Sequence, residues 1–180
     1  MVRILKKSQK KISRHTGLLY RIRDYLPTKA RLDYYYAFIY PYLSYNVIFW
    51  GSTYDTYLNP LIIQHKRTIR TLSDGAPREH TNPLFNQLGL LKFEDIYKFH
   101  LLVHMHKAIS RGEYAPLHNL STRNRNLAVP VRHDLTSTKK AVSFMGPKTW
   151  NELPPNLRSI EGLIPFKKAL KKFLMSQYVE

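Results

Sequence analysis

Apolar residues recur at intervals of three, four and seven along most of the first 110 positions, the spacing of a helix face rather than the alternation of a strand. Ile12, Leu19, Ile22 and Leu26 predict an amphipathic helix over residues 12–26. Lys7, Lys10, Arg14 and Arg21 repeat at the same spacing on another face, so a cationic stripe backs a buried one. Pro27 stops this helix and Thr28 is expected to cap the next, because a threonine oxygen accepts a free backbone N–H. Leu32, Tyr35, Tyr36, Ile39, Tyr42 and Leu43 continue a helical stripe. Pro41 should kink or interrupt it by removing one ladder bond, and Gly51 ends it after the apolar run from Val47 to Trp50.

A third helix is expected from about Tyr54 to Leu72, with Leu58, Leu61, Ile62, His65, Ile69 and Leu72 inward and Lys66, Arg67 and Arg70 outward. Asp74, Gly75 and Pro77 mark residues 73–78 as a loop. A short helix near Leu84 to Leu88 and a longer one from Phe93 to Ile109 follow, the latter closed by Arg111 and Gly112. From Tyr114 onward Pro116, Asn119, Asn124, Asn126 and Pro130 break every helical period. There the stretches 127–131 and 141–145 are expected to pair as strands, with Gly146-Pro147 as the turn after them. Pro154-Pro155 precedes a last helix over 166–173, flanked by Lys167, Lys168, Lys171 and Lys172. Most of the tyrosines, Tyr34, Tyr35 and Tyr36 included, read as core residues on helices.

Charge narrows the function. The chain has 29 Lys plus Arg against 12 Asp plus Glu. Residues 1–33 hold ten basic and two acidic side chains, residues 34–122 eight and six, and residues 123–180 eleven and four. Two cationic ends flanking a near-balanced middle favour a polyanionic partner, and nucleic acid is the commonest. The absence of cysteine excludes disulfides and thiolate zinc sites. Nothing at the start reads as a signal peptide, and residues 38–50 are too short and too broken to span a bilayer.

Catalytic patterns are missing by class. A two-metal polymerase or nuclease needs converging carboxylates, yet the chain has no Asp-Asp pair. Glu94-Asp95 falls in the first turn of an expected helix, where acids complement the dipole. His100, His104 and His106 lack the glutamate of the zinc-protease pattern and read as core or partly buried histidines. Nucleophile elbows and phosphate-binding glycine loops are likewise absent from the sequence.

Several patches carry a resemblance. They begin with Lys11-Ile12-Ser13 leading to Gly17-Leu18-Leu19, then Leu26-Pro27 and the run from Tyr36 to Trp50-Gly51. Gln64-His65-Lys66-Arg67 with Ile69-Arg70 follows, then His80 to Phe85 before Leu88 to Leu91. The tail patches are Thr122-Arg123, Pro130 and Arg132, Ser143 to Pro154, and Phe166 to Lys171. In this order they resemble the C-terminal segment, thumb plus post-polymerase tail, of reverse transcriptases from non-LTR retrotransposons of the jockey and CR1-like kind.

That resemblance implies a thumb from Lys11 to about Leu72, gripping a template-primer duplex. It implies that fingers, palm and any endonuclease lie upstream, so the family's catalytic aspartates have no counterpart here. The expected fold is mainly α: a thumb-like helical bundle over 1–75, a helical connector over 76–113, and a basic tail over 114–180 with a terminal helix and a short β-hairpin. The expected function is backbone-gripping nucleic-acid binding by a fragment of an RNA-directed DNA polymerase, with no catalytic residue of its own. The expected contacts are Lys7, Lys10, Lys11, Arg14, Arg21, Lys66, Arg67, Arg70, Arg123, Arg132, Lys148, Lys167, Lys168 and Lys171. RNA or an RNA–DNA hybrid is the expected partner, together with the missing palm and fingers, in the nucleus or cytoplasm and without a membrane. No cofactor is expected, Mg2+ belonging to the intact parent. The alternative is a domesticated protein–protein interaction module with no nucleic-acid role.

Overall fold

A computed structural model describes residues 2–76, 78–113 and 140–178. It is mainly helical, as the periodicity requires. The chain divides into two compact units, Met1–Ile96 with Leu174–Glu180, and Tyr97–Phe173.

In the first unit, α1 spans Val2–Ile22, ten residues earlier in its start than the apolar spacing predicts. Its buried side chains Leu5, Ile12, Thr16 and Leu19 keep a seven-residue rhythm, and Ile22 is half-buried. A 3-10 turn, Arg23–Tyr25, leads to Pro27 and then to α2, Thr28–Phe38. Thr28 does not cap: Pro27 occupies the N-cap position and no side chain bonds there. Pro41 does interrupt. It sits in the first turn of a separate α3, Tyr40–Ser44, where its missing N–H costs nothing. Asn46, at φ 50, then turns the chain into α4, Val47–Trp50. Asparagine tolerates the left-handed region better than most side chains, which suits it to that corner.

α5, Asp55–Leu72, packs along α1. The two run parallel, since Leu5 shares a groove with Thr56, Tyr57 and Leu61 while Thr16, eleven residues on, meets Thr68. The Thr16 and Thr68 hydroxyls lie 2.8 Å apart, and each is also within bonding distance of the carbonyl four residues earlier in its own helix, Ile12 and Gln64; with one proton apiece, one hydroxyl donates across the crossing and the other to its carbonyl. Small hydroxyl residues at the crossing bring the axes close without stranding a polar group. Arg31 fastens the far end, donating to the carbonyls of Leu26 and Leu72 and to the Asp74 carboxylate. It thereby satisfies an orphan carbonyl at the α5 C-terminus.

α6, Thr81–Leu88, begins before the expected stretch and ends at Gly89. Gly89 takes φ 65 so that its own N–H and that of Leu90 can turn back onto the last helical carbonyls, of Asn86 and Phe85. α7, Phe93–Ser110, starts in this unit and continues into the second. The Trp50 indole stacks on Phe93 with ring centres 5.6 Å apart. Tyr178 closes the unit: its hydroxyl donates to Asp95 at 2.6 Å and accepts from the Lys92 N–H at 2.9 Å. Burial and then the Asp95 bond raise the Tyr178 pKa, so it stays a donor. Asp95 is therefore a buried structural acceptor as well as a first-turn acid.

The second unit contains the rest of α7, α8 (Val142–Asn151), α9 (Pro155–Arg158) and most of α10 (Leu163–Ser176). The expected strand over 141–145 is helix from Val142, and its expected partner at 127–131 lies outside the described residues. Gly146 continues that helix instead of ending it, and a Cβ there would lie 2.5 Å from the Met105 sulfur. Glycine is needed for close packing at that position, and the turn reading of Gly146-Pro147 is overturned.

Candidate nucleic-acid interface

Twenty-one residues of α1 contain no carboxylate. Helical geometry sorts them by side: Leu5, Ile12, Thr16 and Leu19 face the bundle, and Lys7, Lys10, Arg14 and Arg21 are exposed opposite. Arg3 extends the same row by one turn, and Lys6 flanks it. Both escape a reading that starts the helix at Ile12, although the spacing Arg3, Lys7, Lys10, Arg14 was there to be found. Lys11 is half-buried at the edge of the row.

This arrangement works against the helix itself. Arg3–Lys7, Lys6–Lys10, Lys7–Lys11 and Lys10–Arg14 are like-charge pairs one turn apart, each costing about 0.2–0.5 kcal/mol. Cations in the first turns also oppose the helix dipole. A polyanion laid along this side removes both penalties.

The other expected contacts divide. On α5, Lys66 and Arg67 are exposed, whereas the Arg70 Nε already donates to the Glu79 carbonyl at 2.9 Å. In the second unit Lys148 is exposed on α8, as are Lys167 and Lys168 on α10, and Lys171 is half-buried. α10 buries Phe166, Leu170 and Leu174, which turns Lys168 outward and leaves Lys167 and Lys171 at the borders of the buried side. Arg123 and Arg132 lie outside the described residues.

Tyrosine placement corrects the core reading. Of the three successive tyrosines only Tyr35 is buried; Tyr34 is half-buried and Tyr36 exposed. Tyr20, Tyr25, Tyr45, Tyr54 and Tyr57 are exposed as well. Tyr35 shares a 2.9 Å hydrogen bond with Nε2 of His65, and the rings stack at 5.9 Å. Burial holds His65 down to about 3, so the imidazole is neutral.

On the outer side of α2, Tyr34 and His15 make a second pair, hydroxyl to Nδ1 at 3.0 Å. The His15 ring lies 5.5 Å from Phe38 at 20° and 6.0 Å from Tyr42 at 24°. These four rings come from three helices, and their sequence positions gave no hint of the cluster.

The histidines of α7 separate too. His106 is buried, 4.3 Å from the Phe166 ring, with Nε2 3.0 Å from the Ile160 carbonyl. His100 is half-buried, and desolvation followed by the Lys167 charge lowers its pKa. Among the described residues no group of three or more His, Cys, Asp or Glu side chains is placed to hold a metal ion. Among the same residues no helix is long and apolar enough to cross a membrane.

No protein-family model matches the chain, and neither the curated proteins nor the solved structures give a significant match.

Proposed function

We propose that this chain is a nucleic-acid-binding module that grips a sugar-phosphate backbone, RNA or an RNA–DNA hybrid, without reading its sequence. On this reading it is the thumb and tail of a non-LTR retrotransposon reverse transcriptase. RNA-directed DNA synthesis and its Mg2+ then belong to a parent that supplies the palm. The observation that carries the reading is α1: an acid-free helix whose outer row of Arg3, Lys7, Lys10, Arg14 and Arg21 is packed in place from behind. Phosphate contacts of this kind position a strand and are indifferent to its bases.

Filter binding or fluorescence anisotropy across salt tests it. With about six phosphates neutralised, affinity falls roughly a thousandfold between 50 and 200 mM salt. A flat response counts against the reading. The second reading, a protein-interaction module, draws on Tyr45 at 71% and Phe49 at 64% exposure beside the Asn46 corner. It predicts that flat salt response together with a partner retained after nuclease treatment.

A further inference from the structure

The ring cluster on α1, α2 and α3 borders the cationic row, and backbone gripping makes no use of it. His15 stands one turn beyond Lys11 and two beyond Lys7, so rings and cations share an edge of α1. His15, Phe38 and Tyr42 form a near-parallel series, with Phe38 48% exposed. The Tyr34 bond to Nδ1 fixes the imidazole's orientation, which lowers the ordering cost of anything stacked on the series.

We propose that Phe38, backed by His15 and Tyr42, is a stacking platform for an unpaired nucleobase, with Lys11 and Lys7 on its flanking phosphates. This deepens the nucleic-acid reading above and rests on it. Charge complementarity selects the occupant. A protein helix seated on Phe38 would face Lys7 and Lys11, which line the same edge as His15, with no carboxylate on α1 to relieve them. A nucleotide brings a flat ring and a negative charge together. A base inside a duplex has both faces covered by its neighbours, so the platform takes a single-stranded segment or a frayed end. Every base offers a π-face, so the platform is tolerant of sequence.

The test uses the full chain and two single strands of about 15 nucleotides, one with bases and one abasic, read by anisotropy. A strand carrying 2-aminopurine reports stacking by quenching. The strand with bases should bind about tenfold tighter than the abasic one. Phe38→Ala and Phe38→Leu should both lose that preference and the quenching, while keeping the abasic affinity and its salt slope; Phe38→Trp should keep all of them. Since Phe38 is half exposed, a helical circular dichroism signal equal to the parent's is expected for each. Equal affinity for both strands, or a preference that survives in Phe38→Leu, overturns the platform and leaves backbone gripping standing. Failure to bind either strand overturns both.

Discussion

Tyr34 and Tyr35 are neighbours on α2, and each bonds a histidine, at 3.0 Å to His15 and 2.9 Å to His65. The chemistry is the same; the surroundings are opposite. His65 is sealed among Tyr35, Phe85 and the α5 core, whereas His15 lies half-buried among rings that reach solvent. Rotation by one residue along a helix turned a core strut into a surface platform. Burial, rather than residue type, assigns the role.

The difference should be largest in stability. Truncating Tyr35 to alanine removes a fully buried ring and strands His65, and urea unfolding should show a loss of about 3–5 kcal/mol. Phe38→Ala should lose well under half of that, since a half-exposed ring leaves no closed cavity. Equal losses would erase the contrast between the two sides of α2.

Acid should sharpen it next. His65 titrates at an ordinary 6.5 when unfolded and is held down to about 3 when folded, so the unfolded chain binds the proton first. Stability is therefore full above pH 6.5 and falls as pH drops toward 3, by up to about 1.4 kcal/mol per unit. Unfolding midpoints between pH 7 and 5, compared with those of His65→Gln, isolate this slope; an identical slope in the variant would assign it to other groups. The smallest effect concerns single hydroxyls. Tyr35→Phe should cost about 1–2 kcal/mol by leaving a buried imidazole nitrogen without its partner, and Tyr34→Phe about half a kcal/mol or less where water can substitute.

Much of the helical framework was legible, because amphipathic spacing is a local signal. The bounds expected for α5 and α7 fall within a residue of those observed. α1 was cut short because between Met1 and Lys11 only Val2, Ile4 and Leu5 are apolar, so the cations hid the rhythm there. The strand expected at 141–145 is helix from Val142, the turn expected at Gly146-Pro147 is helix as well, and the close approach of Met105 that glycine admits there comes from another helix, a contact no window of sequence contains. The candidate site divides the same way. The α1 row follows from periodicity within one helix, and the ring cluster does not, because Tyr34 and His15 stand 19 residues apart.

The arginines qualify what a formal charge of +17 means. Arg31 is buried and ties together two backbone segments and Asp74; Arg70 and Arg158 each give an Nε hydrogen to a carbonyl. Such guanidinium groups act as rivets, and their reach into solvent is shortened accordingly. The working valence of the surface is then smaller than the tally of basic letters, and the exposed row along α1 is one continuous part of it. Counterion release measured for this chain should report that smaller number.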